Sequence, residues 1–411
     1  MPTEPHSVPA LRRCVAADPG VFATEYWGRR PLLSPADALP RDFGDLLSSD
    51  MVDELIAERG VRSPFIRLAK DGSVLDGDCY LGPGGFGAEM PDQVDSAKVL
   101  AEFACGATIV LQGLHRLWPP LIEFVRGLVD ELGHPVQANA YITPPTNRGF
   151  DAHYDVHDVF VLQSAGRKRW IVHEPVHAHP LSFEPWTRHR SAIAERVEDQ
   201  PVIDVVLEPG DALYLPRGWV HSAQALDSTS IHLTVGVSAV TGLDVARAVV
   251  DQLATVEAFR RSLPMGADPT DGDEVVATVT KVMAEMVGTL RDDAAALSTG
   301  AAAALTRRHA ERTRPVPVRP LATLLATERA ESTPVRWRRG LVASLDHADG
   351  RVVLRLPDKV MTFPSSCADA VHALHRGITA DADGLPGLDR ADATVLIRRL
   401  LREAVVVPAG G

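Results

Sequence analysis

Cysteine is scarce in this chain, and what there is does not pair. Four cysteines, Cys14, Cys79, Cys105 and Cys367, are scattered over 411 residues with no C-x-x-C spacing. That excludes a cysteine-rich zinc module and fits a reducing compartment. Long hydrophobic runs are missing too: none approaches the roughly 18–20 residues needed to span a bilayer. No signal peptide is recognisable, so a cytoplasmic location and no membrane association are expected. Positive charge is in deficit, with 42 Lys and Arg against 54 Asp and Glu, a formal net charge of −12. General nucleic-acid binding normally needs a basic face, so the imbalance argues against it and favours a basic partner. What remains is ordinary globular material, 45% hydrophobic and 23% charged, at a length suited to two or three domains.

The first 150 residues mix short helical and turn signals. Val21 to Pro35 reads as a short helix ending at Gly28 with an extended exit, and Asp50 to Arg59 as an amphipathic helix stopped by Gly60. Leu117 to Leu132 reads as another, begun by Pro119-Pro120 and closed by Gly133. From Gln137 to Val240 the signature changes to short β-rich runs, NAYIT, DVFVLQ, RWIVHE, IDVVLE, ALYLP and IHLTVGVS. Runs of this length between Gly, Pro, Asn or Asp are expected of a sandwich or barrel. Their lack of clean alternation predicts strands covered on both faces. Beyond Gly242, Leu243 to Leu263, Glu274 to Leu290 and Ala294 to Leu305 carry apolar residues at helical intervals or alanine-rich helical sequence. Glu311 to Pro320 reads as a linker. The tail has two hairpin-like strands around His347-Ala348-Asp349-Gly350, then helices near Cys367–His375 and Ala391–Arg402.

One pattern carries chemistry. His153 and Asp155 flank Tyr154, and at strand spacing i and i+2 point to one side, so both can reach one ion while Tyr154 points away. His221, in GDALYLPRGWVH, is 66 positions beyond Asp155 and closes the set across a folded sheet. Two imidazoles and one carboxylate form the facial arrangement that leaves positions open on ferrous iron. Zinc competes for the same donors. Lys168 lies thirteen positions after Asp155, beyond a glycine turn at Gly166. A strand out and a strand back would put its ammonium near the metal, where it could bind the distal carboxylate of a dicarboxylate cosubstrate; Arg167 and Arg169 are expected to be solvated. Asn139, Tyr141 and Thr143 share a strand face at period two and could supply polar groups to the same cavity. His232 could point into the barrel behind them. His157 is expected at the rim, and His173, His177, His179 and His189 in ordinary surface roles.

The stretch from Asn139 to Trp170, with GDALYLPRGWVHSA and STSIHLTVGV, resembles the JmjC-type 2-oxoglutarate oxygenases, and within them the ribosomal-oxygenase, or cupin-4, group. Glu25-Tyr26-Trp27-Gly28-Arg29-Arg30-Pro31-Leu32 is similar to that group's N-terminal signature. The resemblance implies an α+β chain with a double-stranded β-helix (jelly-roll, cupin) barrel in residues 1–242, a helical dimerisation region and linker in 243–320, and a winged-helix-like domain in 321–411. It implies Fe(II) on His153, Asp155 and His221, 2-oxoglutarate anchored by Lys168 with help from Tyr141, and O₂ on the last open position. The reaction implied is hydroxylation of an Arg or His side chain of a ribosomal protein, with release of succinate and CO₂.

Other readings stay open. The same chemistry could act on a biosynthetic peptide or small metabolite, or demethylate N-methyl-lysine. A non-enzymatic dimeric cupin-fold binding protein is the contrasting class, although it would have no use for three metal ligands and a basic anchor. In the tail, Arg336, Arg338, Arg339, Arg398 and Arg399 are offset by Asp346, Asp349, Asp381, Asp383, Asp389 and Asp392, so direct DNA binding is not expected. The apolar faces between Leu243 and Leu305 predict a homodimer.

Overall fold

A computed structural model describes residues 8–70, 72–87, 89–147, 150–266, 268 and 270–409. It forms two compact units, Met1–Ala239 and Val240–Gly411. Among the described residues, no helix is long and apolar enough to cross a membrane.

Apart from a short two-stranded pair, Leu81–Gly82 with Gln93–Val94, the described strands of the first unit are β1 (Leu32–Ser34), β2 (Ile66–Lys70), β3 (Ser73–Val74), β4 (Thr108–Leu111), β5 (Val136–Thr143), β6 (Asp158–Ala165), β7 (Lys168–His173), β8 (Ile203–Leu207), β9 (Ala212–Leu215), β10 (Val220–Ala225) and β11 (Ser230–Val237). Eight form an antiparallel sheet in the order β1-β9-β6-β11-β5-β4-β2-β3, and three form a second sheet, β8-β7-β10. Two facing antiparallel sheets with these crossovers are the jelly-roll solution to burying apolar strand faces.

The lack of alternation in the strands has a direct cause. In β6, Phe160 and Leu162 belong to a cluster shared with the N-terminal helices, while Val159 and Val161 pack with Trp170, Val172, Leu213 and Leu215 between the sheets. Every residue of β11 is buried. The N-terminal helices cover the outer face of the large sheet, each started by a local signal. Ser48 accepts a hydrogen bond from Met51 N to cap Ser49–Ala57, and Asp95 does the same for Ser96–Ala104. The expected helix over 117–132 is two helices, Leu114–Leu117 and Pro119–Leu132. Trp118, preceding a proline, is held extended (φ −107°, ψ 112°) and breaks the run. A single π turn, Phe22–Tyr26, runs into the EYWG segment, where Trp27 stacks on Tyr214 and Gly28 N donates to the Tyr214 hydroxyl at 2.8 Å.

The second unit begins with helices Gly242–Gln252, Gly272–Asp292 and Ala294–Thr313. The last runs three residues into the stretch read as a linker. The tail holds more strand than a single hairpin: Ser344–Ala348, Arg351–Arg355 and Val360–Pro364 form one three-stranded sheet, and Val335–Trp337, Thr379–Ala380 and Val406–Pro408 another. These pack with helices Pro320–Glu328, Ala368–His375 and Arg390–Arg402 around Val352, Leu354, Phe363, Leu374, Ile397 and Leu400.

Candidate metal centre

His153 and Asp155 do not lie in a regular strand. His153 makes a lone antiparallel bridge with His221, His153 N donating to His221 O at 3.1 Å and His221 N to His153 O at 2.8 Å. Asp155 is placed by its own carbonyl, which accepts from Gly218 N at 3.0 Å. The turn that supplies Gly218 is itself anchored, because Arg217 N donates to the buried Asp158 carboxylate at 3.1 Å. Gly218 is required there. Its φ is +89°, and a Cβ would stand 2.7 Å from the His177 carbonyl oxygen. Pairing at one bridge thus does what strand alternation was expected to do, and Tyr154 does point away, buried with Ile193 and Val220.

The result is one cluster of ligand atoms: a nitrogen of His153, a carboxylate oxygen of Asp155 and a nitrogen of His221, all within 4.8 Å of one another. Second partners fix the imidazole tautomers. His153 Nδ1 lies 2.7 Å from the Asp151 carbonyl oxygen and His221 Nδ1 3.0 Å from that of Trp219. A carbonyl only accepts, so each Nδ1 holds the proton and each Nε2 presents a lone pair to the cluster. Burial, then the neighbouring His153, lowers His221 to about 4, keeping it a neutral ligand. Burial works to raise Asp155, but the imidazoles of His157, His153 and His221 outweigh it and hold the carboxyl ionised. The donor set fits a divalent ion with open positions.

The cluster opens into a cavity of about 500 Å³ between the two sheets, lined also by Lys168, Tyr141, His232 and Trp170. Lys168, first residue of β7, is 3% exposed, and its Nζ donates to Thr143 Oγ1 at 3.1 Å. Among the described residues no carboxylate pairs with it. Burial pulls its pKa down to about 7. Its neighbours go the other way: Arg167 pairs with Asp227 and Arg169 with Asp204 on the surface, both at 2.6 Å. Tyr141 stacks on His232 with centroids 5.1 Å apart. Burial and then Asp155 raise the Tyr141 phenol, so it keeps its proton and can donate. His232 is neutral, pushed well below its ordinary value by burial and Lys168, and its Nδ1 is buried without a partner.

Other expectations need correction. Asn139 does not line the cavity; its Oδ1 accepts from Gly113 N at 3.0 Å and holds the entry to the 114–117 helix. His157 is packed against the backbone of β11, with Cδ2 only 2.3 Å from where a Cβ on Gly236 would stand. His173 is buried, not on the surface. His177 does make a half-exposed contact with Glu184, 3.3 Å, and stacks on His189. Sequence reasoning missed Arg67 on β2, Thr234 on β11, and Trp186 and Arg190 at the mouth, where the guanidinium lies 4.5 Å from the Trp186 ring centre. Thr234 follows His232 at period two and was legible; Trp186 opens a 3₁₀ turn, Trp186–His189, and Arg190 the helix Arg190–Arg196, elements too short for periodicity to mark.

Residues 123–245 match the family described as JmjC domain. Ribosomal oxygenase 1 of Rattus norvegicus is 31% identical over 201 residues, covering 45% of this chain and 32% of that protein. The bifunctional lysine-specific demethylase and histidyl-hydroxylase NO66 of Drosophila persimilis is 31% identical over 228 residues, 52% of this chain and 29% of that protein. The chain thus spans less than a third of the length of either relative. Among solved structures, the ribosomal oxygenase YcfD of Escherichia coli superposes with a TM-score of 0.52 at 18% identity, covering 95% of this chain and 98% of that one. Its complex with cobalt and 2-oxoglutarate gives 0.50 at 18%, covering 97% and 99%. At that identity the likeness establishes the shared fold. Residues 123–245 thus match a JmjC domain, in a chain similar in sequence to ribosomal oxygenase 1 over 201 residues and folded like YcfD along nearly its whole length.

Proposed function

We propose that this protein is an Fe(II)- and 2-oxoglutarate-dependent protein hydroxylase that oxidises an Arg or His side chain of a ribosomal protein. The observation that carries the reading is Lys168: a buried amine in the cavity wall, with no carboxylate paired to it among the described residues, in the same cavity as a two-histidine, one-carboxylate cluster. A buried charge without a counter-ion is costly, and a dicarboxylate bound at the metal end would supply one. Relatives bearing the names ribosomal oxygenase and histidyl-hydroxylase, and the YcfD complex with 2-oxoglutarate, support the same class.

His153, Asp155 and His221 would hold the ion, and Lys168 with Thr143 would take the distal carboxylate of 2-oxoglutarate, with the Tyr141 hydroxyl as a further donor. The bound Fe(II) supplies the redox chemistry with O₂ by which 2-oxoglutarate becomes succinate and CO₂ while a substrate C–H becomes C–OH. Val159, Val161 and Trp170 line the cavity and would shield bound cosubstrate with apolar surface. Trp186 and Arg190 face the entering substrate.

The test is succinate formation from 2-oxoglutarate and Fe(II) by wild type and His153→Ala, with intact-mass measurement of added ribosomal proteins. We expect succinate from wild type alone and a gain of one oxygen atom on one ribosomal protein. Turnover without that gain would move the substrate to a peptide or metabolite. No turnover and no 2-oxoglutarate binding would refute the enzyme reading.

A further inference from the structure

The barrel cavity holds a second cation to which neither the metal cluster nor Lys168 gives a role. Arg67 on β2 lines the cavity together with Tyr141. The strand registers set the two in one row: Arg67 lies opposite Val110 on β4, Val110 opposite Tyr141 on β5, and Tyr141 opposite His232 on β11. Residues directly opposite share a face of a sheet, so the row faces the cavity. Adjacent strands are about 4.8 Å apart, so Arg67 and Tyr141 start about 10 Å from each other, with only the short, buried Val110 between them. Phe150 covers that gap. Its ring centre is 5.8 Å from the Arg67 guanidinium carbon and 6.3 Å from the Tyr141 ring. Among the described residues Arg67 Nε is buried without a partner, so packing against Phe150 directs the guanidinium rather than a bond at Nε.

This placement brings guanidinium and phenol together. Burial and then Asp155 raise the Tyr141 phenol, while the charge of Arg67 and a hydrogen bond from its side chain act against them. A phenol oxygen accepts with its lone pairs and donates its single proton elsewhere. With the oxygen facing Arg67, the proton is left for an acceptor in the cavity. We propose that Arg67 is a positioning residue of the cosubstrate site, holding the Tyr141 hydroxyl as a donor to the carboxylate that Lys168 and Thr143 take, a role that rests on this chain binding 2-oxoglutarate. A guanidinium suits the task, because it stays charged at every working pH and never accepts the phenol's proton. Lys168, whose charge changes near pH 7, could not hold the hydroxyl in one sense across the neutral range.

The test is calorimetric titration of 2-oxoglutarate into the full chain loaded with manganese(II) in place of iron, so that binding is read without turnover. Tyr141→Phe should weaken binding about tenfold, the loss of one hydrogen bond to a charged group. Arg67→Met keeps an unbranched apolar stem against Phe150, removes the donors, and should weaken binding by up to the same factor. The double variant should bind no more weakly than Tyr141→Phe alone, since Arg67 acts only through that hydroxyl. Arg67→Lys should recover part of the loss. Should Arg67→Met unfold, Arg67→Gln at this half-buried position carries the same expectation. Losses that multiply in the double variant would mean that Arg67 touches the cosubstrate itself, and unchanged affinity without Arg67 would mean that it has no part; either result overturns the role. A wild type that binds no 2-oxoglutarate would remove the oxygenase reading and this role together, so the two failures are told apart.

Discussion

Lys168 shows how a single residue ties stability to ligand binding. Burial favours its neutral amine, so in the free protein it changes charge near pH 7 rather than near 10.5. Between those values the unfolded chain holds a proton that the folded one does not, so the cosubstrate-free fold loses stability as pH falls through that window. A bound dicarboxylate reverses the preference by pairing with the ammonium. Binding of 2-oxoglutarate should therefore take up a proton above pH 7, and affinity should fall toward roughly tenfold per pH unit there. Calorimetry at pH 6.5 and 8.5 in buffers of different ionisation enthalpy checks both. Lys168→Ala should weaken binding by about 10- to 150-fold, equivalent to about 1.5–3 kcal/mol for a charge-assisted hydrogen bond, and should flatten the pH dependence. A normal affinity in that variant would remove Lys168 from the cosubstrate site. Lys168 was legible from its distance past Asp155 and the glycine turn, although the strands on either side of Gly166 lie in different sheets and do not return side by side as expected. Arg190 was not, since its place beside Trp186 depends on a single 3₁₀ turn, Trp186–His189, too short for periodicity to mark.

Among the elements, the β6–β7 connection, which carries the chain from the large sheet to the small one, holds most of the design. Its turn residue Gly166 has φ +62°, and a Cβ there would lie 2.0 Å from the Thr229 carbonyl oxygen, on the chain leading into β11. The turn packs against a third strand, and the backbone there cannot retreat without shifting β11. Gly166→Ala should cost on the order of 2–4 kcal/mol and displace Lys168, lowering the urea midpoint and weakening 2-oxoglutarate binding together. Loss of stability with unchanged binding would mean that Lys168 is placed by β7's pairing with β8 and β10 instead. The six strands that were legible are rich in β-branched and aromatic residues. The strand that carries His221, β10, was not: Val-His-Ser-Ala-Gln-Ala has little intrinsic strand preference, and its pairing with β7 over 220–225 imposes the conformation. The ligand pair His153 and Asp155 was found through an assumed strand, whereas a single bridge to His221 holds it; the same two-residue periodicity operates in both.

At the scale of the whole molecule, one helix is left without a reason to exist alone. Gly272–Asp292 runs 21 residues with none buried. Val276 is 65% exposed, Val279 50%, Met283 54% and Val287 51%, spaced so that they form one apolar stripe. Helices of this kind are held in proteins mainly by packing an apolar face, since propensity alone leaves them marginal in water, and this one is rich in β-branched valine, which lowers propensity further. Contiguous exposed apolar surface of this form marks an interface. A second copy of the chain is the occupant that needs no further component, because a two-fold axis applies the same stripe to itself. We expect a homodimer by light scattering at micromolar concentration. Val279→Asp with Met283→Asp would bury two unpaired carboxylates in that contact and should give a monomer. The barrel cluster lies in the other unit, so the variant should still bind 2-oxoglutarate, separating loss of assembly from loss of fold. A monomeric wild type would leave the stripe to a different partner and refute the dimer.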